Sequence, residues 1–119
     1  YVQTQGGMIF TARQLRGLDG AALQPVVQQI TARLGQRHCY LTLDIDCLDP
    51  AFAPGTGTPE PGGLSSSQVL TLLESLAGLN MVGMDCVEVA PAYDHAELTS
   101  NVAATLVWTY LCGQIAKSF

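Results

Sequence analysis

The 119-residue chain is 48% hydrophobic and 13% charged, with a net charge of −5, the composition of one globular domain with enough apolar material for a core. No apolar run reaches the roughly 18 residues that cross a membrane, and no basic stretch followed by an apolar one marks a signal peptide, so a soluble, cytoplasmic protein is expected. The acidic balance argues against nucleic acid as a partner, since that needs clustered basic contacts.

In chain order, "MIFT" (8–11) reads as a short buried strand. The segment 19–35 reads as a helix with Asp19 near its start and Gly35 just past its end, and Pro25 places the regular part close to Gln24. "HCYLTLD" (38–44) is a β-rich apolar run. Residues 65–79 open with Ser65-x-x-Gln68, a capping-box pattern. They carry Val69, Leu72, Leu73 and Leu76 on one helical face and end near Gly78 as a C-terminal cap. Residues 80–90 form a second apolar strand interrupted by Asp85 and Glu88. Residues 98–117 read as a helix with apolar stripes at Val102, Leu106, Tyr110 and Leu111. Strands alternating with helices imply an α/β fold with parallel strands, right-handed crossovers and strands covered on both faces. Ligands then bind beyond the carboxyl ends of the strands.

The cations are Arg13, Arg16, Arg33, Arg37 and Lys117, so no Lys or Arg lies between His38 and Ala116. That window holds Asp44, Asp46, Asp49, Glu60, Glu74, Asp85, Glu88, Asp94 and Glu97. Carboxylates clustered without cations repel one another unless they spread into solvent or a non-protein cation neutralises them. Side chains at i and i+2 of an extended segment share a face, so Asp44 and Asp46 converge just past a strand. Hard oxygen donors of this kind select Mg, Ca or Mn, although two do not complete a site. The plain alternative for such a pair is a helix cap or a solvated turn. Asp49, followed by Pro50, reads mainly as a turn organiser, and His95 as an exposed loop residue. Cys39, Cys47, Cys86 and Cys112 form no CxxC and read as small buried hydrophobes.

Three carboxylate chemistries compete. An EF-hand loop fails, because Leu48, Asp49 and Gly55 stand at its fifth, sixth and twelfth positions. A haloacid-dehalogenase-like phosphatase fits "LTLDIDCL", except that Leu48 replaces the expected Thr or Val and no mid-chain Lys supports a phosphate. The third reading accounts for more residues. "YLTLDIDCLDPAFAPGTGTPEPGG" (40–63) and "GMDCVEVAPAYDHAELT" (83–99) resemble two signature segments of the ureohydrolases, the family of arginase and agmatinase. "VEVAPAYD" is most similar to the agmatinase branch.

The resemblance implies a three-layer α/β/α fold around a parallel sheet, of which residues 1–119 are the C-terminal portion of a single domain. The upstream metal-binding half ("GGDH" and "DAHxD" segments) does not occur in the chain. It implies two Mn²⁺ ions in a complete site, with Asp44 and Asp46 as ligands and Asp46 also as the catalytic carboxylate. It implies Glu88 as the group that binds the substrate guanidinium and Thr58 as a residue of the loop bordering the active site. The expected activity is hydrolysis of agmatine to putrescine and urea by a trimeric or hexameric full-length parent. Arginine or guanidinobutyrate are the alternative substrates. A start at Tyr1 rather than Met fits a fragment that is inactive alone. A naturally truncated, non-catalytic subunit is the alternative of another class.

Overall fold

The computed structural model describes residues 1–117. Two strands, β1 (Cys39–Asp44) and β2 (Met81–Val87), pair in parallel, with Thr42 opposite Asp85 and Asp44 opposite Val87. Four α-helices accompany them: α1 (Ala12–Leu15), α2 (Gln24–Leu34), α3 (Ser66–Leu76) and α4 (Leu98–Ala116). Because α3 carries the chain from β1 to β2, the strands run the same way, as an α/β crossover requires.

Local chemistry accounts for most boundaries. Ser65 caps α3 by accepting the Gln68 N–H at 3.1 Å, and the Gln68 side chain accepts the Ser65 N–H at 2.9 Å. The amide nitrogen of Gln68 also donates to the Leu15 carbonyl at 3.0 Å, so this buried polar side chain ties α3 to α1. A single 3-10 turn (Gly20–Leu23) precedes α2, which starts at Gln24 beside Pro25 and ends at Gly35 with φ +56°.

Two apolar clusters share α3. Beneath the sheet, Leu43, Ile45, Leu48, Ala53, Val69, Ala103 and Leu106 pack together, with Leu73, Met84 and Cys86 against them. On the far side of α3, Leu15, Leu23 and Val26 form a second cluster that takes in Leu72. Fully burying a leucine such as Leu106 is worth about 1.5–3 kcal/mol.

Several expectations are corrected. Residues 8–11 are not a strand: the run joins no ladder, and Ile9 is half exposed. Thr11 instead caps α1, with its hydroxyl accepting the Gln14 N–H and Gln14 accepting the Thr11 N–H, a Thr-x-x-Gln box that competes with extension. Gly78 is not the cap of α3, which stops at Leu76 with Ala77 as its cap, and Gly78 does not take positive φ. The sheet is covered on one face only within the described residues: Tyr40 and Thr42, on the other, are exposed. Leu111 also faces outward on α4, since Leu106 and Tyr110 already supply the buried stripe. Cys39 is buried and Cys86 half-buried as small apolar residues, whereas Cys47 and Cys112 are exposed. No helix among the described residues is long and apolar enough to cross a membrane.

Candidate active site

The carboxyl ends of β1 and β2 lie side by side, and the segments leaving them carry the acidic residues. Asp44 closes β1 and caps the 3-10 turn Ile45–Cys47, accepting the Asp46 N–H on Oδ1 at 3.2 Å. That turn is anchored by fully buried Ile45, which leaves Asp44 and Asp46 half-buried on either side of it. Burial raises the Asp44 carboxyl above its ordinary value. The Asp46 N–H opposes that rise, and the nearby carboxylates of Asp46 and Glu88 add to it. Desolvation of the Cys47 thiol, followed by the charges of Asp44 and Asp46, pushes it up to about 11 although the residue as a whole is exposed. Negative charge therefore accumulates at this strand end, an electrostatic setting that a cation would relieve.

Glu88 follows β2 directly with φ +64°, a left-handed conformation that costs a non-glycine residue energy and that clusters at functional sites. It stands one residue past Val87, the register partner of Asp44.

The loop 49–63 is built to hold its shape. Asp49 bridges its two ends, accepting the Ala51 N–H at 2.8 Å and the Gly62 N–H at 2.7 Å, and those two bonds hold its carboxyl below the usual range. Asp49 is thus the turn organiser expected from its position before Pro50. Leu48 and Leu64 form an isolated parallel bridge at the base of the loop. Gly63 is required there, because a Cβ would stand 2.6 Å from the Asp49 nitrogen. At the tip, the Thr58 hydroxyl donates to Asp46 Oδ2 at 2.6 Å, which fixes that carboxylate. The structure thus brings Thr58 to Asp46, and Glu88 near Asp44.

The donor chemistry fits a hard divalent cation in part. Asp44 and Asp46 offer carboxylate oxygens from one turn, but among the described residues no group of three or more His, Cys, Asp or Glu side chains is placed to hold a metal ion. His95 is an exposed loop residue whose backbone N–H donates to Asp94.

Two features were not visible in the linear pattern. Arg16 lines a cavity of about 310 Å³ together with Asp46 and Glu60, so the neighbourhood of the aspartates is not free of cations. Asp94, one of the carboxylates in the window without Lys or Arg, turns inward onto the first turn of α4, accepting N–H bonds from Thr99 and Ser100 at 3.0 Å each. The signal that could have found it is an Asp placed a few residues ahead of Thr-Ser at a helix start.

Comparison with known proteins matches this architecture. The arginase family model covers residues 1–113. The agmatinase of Cronobacter sakazakii is 51% identical over 108 residues, which span 91% of this chain and 35% of that protein. A hypothetical agmatinase from Burkholderia thailandensis superposes with a TM-score of 0.87 at 44% identity, covering 95% of this chain and 35% of that one. Proclavaminate amidino hydrolase from Streptomyces clavuligerus gives 0.86 at 42% identity, over 98% of this chain and 38% of that one. The chain belongs to the arginase family, and its fold is the α/β fold of these neighbours. It spans about a third of the length of the relatives it matches.

Proposed function

We propose that the chain is the C-terminal portion of a single ureohydrolase domain whose full-length form hydrolyses a guanidino compound, agmatine foremost, to urea and an amine. The observation that carries the reading is the meeting of Asp44, Asp46 and a strained Glu88 at the carboxyl ends of adjacent parallel strands in a chain about half identical to proteins named agmatinase.

Asp44 and Asp46 are the residues that would hold metal, and Mn²⁺ when bound would supply a water acidic enough to attack the guanidinium carbon at neutral pH. Glu88 would accept fork-like, charge-assisted hydrogen bonds from the planar guanidinium, fixing its carbon in place. Thr58, by donating to Asp46 Oδ2, would hold the orientation of that carboxylate. The short loop geometry around Asp49 and Gly63 keeps Thr58 in reach.

With two ligands in place, residues 1–119 alone would bind metal weakly and turn over poorly, because ligand number and preorganisation set affinity. The full-length protein is proposed as a cytoplasmic trimer or hexamer.

Agmatine and arginine share the guanidinium and differ at the far end, where arginine bears a carboxylate. Arg16 favours a second reading: its guanidinium lines the cavity beside Asp46 and offers a partner to a substrate carboxylate. The deciding measurement is kcat/KM for agmatine, arginine and guanidinobutyrate on the Mn-loaded full-length protein, with Arg16→Gln alongside. Agmatine is expected to be preferred and its kcat/KM to be insensitive to Arg16→Gln. A carboxylate-bearing substrate that is preferred and is lost with Arg16 would replace agmatine.

A further inference from the structure

Thr58 and Glu88 come from separate segments, one in the loop 49–63 and one after β2, yet a closed set of contacts fixes them relative to each other. We propose that Asp94 is a positioning residue that sets the spacing between the Asp46–Thr58 side of the site and Glu88. The inference rests on the ureohydrolase reading above.

The Asp94 carboxylate accepts four hydrogen bonds. Oδ1 receives the His95 N–H at 2.9 Å and the Thr99 N–H at 3.0 Å, and Oδ2 receives the Ser100 N–H at 3.0 Å and the Ser100 hydroxyl at 3.1 Å. Thr99, fully buried, accepts in turn the Gly55 N–H at 2.7 Å. Gly55 closes the circuit with its carbonyl, which accepts the Ala90 N–H at 2.8 Å. Ala90 stands two residues after Glu88. Packing seals the same joint, since a Cβ on Gly55 would lie 2.7 Å from the Asp94 Cβ, so only glycine fits against the aspartate. One carboxylate thus locks the start of α4, the buried Thr99, the middle of the Thr58 loop and the turn that leaves Glu88.

The backbone shows what this lock restrains. Glu88, Ala96 and Glu97 have φ of +64°, +48° and +58°, three left-handed non-glycine residues within one connection. Such conformations persist only where the surroundings over-determine them. Asp94 sits between Glu88 and the Ala96–Glu97 pair, and its four hydrogen bonds hold the connection there. Its carboxyl stays ionised far into acid: burial alone would raise it, but the Thr99 and Ser100 hydrogen bonds outweigh burial and bring it well below the usual range.

The test uses the full-length, Mn-loaded protein carrying Asp94→Asn, which keeps the shape but turns one acceptor into a donor facing N–H groups. Agmatine KM should rise roughly tenfold to a hundredfold while metal content stays at the wild-type level, and amide exchange at Gly55 and Ala90 should quicken. Leu106→Ala, a core truncation, should leave KM unchanged and so separates positioning from lost stability. Wild-type KM in Asp94→Asn overturns the proposal, whether or not exchange quickens. Should Asp94→Asn fail to fold, Ser100→Ala removes only one hydroxyl donor and should raise KM about threefold; an unchanged KM there overturns the proposal equally. A wild-type protein that hydrolyses no guanidino compound overturns the ureohydrolase reading, an outcome distinct from an active wild type whose KM ignores Asp94.

Discussion

Replacing Thr99 with valine probes the buried hydrogen bond between its hydroxyl and Gly55 with little change of shape. Thr99 is 0% exposed and Gly55 is buried, and the Thr99 hydroxyl is the acceptor of the Gly55 N–H at 2.7 Å. Valine puts a methyl where the hydroxyl stood, so no cavity opens, but the Gly55 N–H is left buried without a partner. That costs about 1–3 kcal/mol. At 1.4 kcal/mol per tenfold, the opening of this part of the loop becomes roughly 5- to 150-fold more frequent. The assay is urea unfolding of the full-length protein together with hydrogen exchange at Gly55. Thr99→Ser serves as the counterpart: it keeps the hydroxyl and loses about 0.8 kcal/mol for the missing methyl, so Gly55 exchange should stay at the wild-type rate. If Thr99→Val changes stability by less than about 0.5 kcal/mol and Gly55 exchanges as in wild type, the hydroxyl is not holding that loop and the reasoning fails.

Asp46→Asn in the full-length protein should lower Mn content and hydrolysis together while circular dichroism is retained; full metal occupancy with full activity would remove Asp46 from the site. Leu106→Ala empties the centre of the cluster beneath the sheet, where Leu106 is 1% exposed, and should destabilise by about 2–5 kcal/mol in urea unfolding; a loss under about 1 kcal/mol would mean that α4 does not seat there. Asp94 has a folded carboxyl below its unfolded value near 3.9. Its stabilisation is therefore complete above that unfolded value and is lost as the pH falls toward the folded one. Asp94→Asn should accordingly flatten the fall in urea midpoint between pH 5 and about pH 2.5; a variant with the wild-type acid sensitivity would contradict the hydrogen-bond arrangement.

The sequence by itself determined the features that depend on neighbours a few residues apart. The Ser65–Gln68 box starts α3, Gly35 ends α2, and both long apolar runs become strands because β-rich hydrophobic segments of that length pair wherever partners exist. The place of Asp44 and Asp46 at a strand end was legible, as was Asp49 as the organiser of its turn, but the shared extended face expected for the pair is not formed, because Ile45–Cys47 coils into a 3-10 turn that Asp44 caps. Tertiary structure decided the rest. The run 8–11 has strand character but finds no partner among the described residues to complete a ladder, and the Thr11 cap claims the next turn instead. The absence of Lys and Arg from 38–116 suggested a cation-free site, yet folding brings Arg16 to the cavity beside Asp46 from outside that window. In the sequence Asp94 is one more carboxylate of the window without Lys or Arg, and only the packing of Gly55 against it and the N–H groups of α4 turn it inward. Capping boxes and strand periodicity are contacts between residues close in sequence, so the pattern records them. The positions of Arg16 and Asp94 are contacts between distant segments, and these arise only once the hydrophobic clusters have closed the chain upon itself.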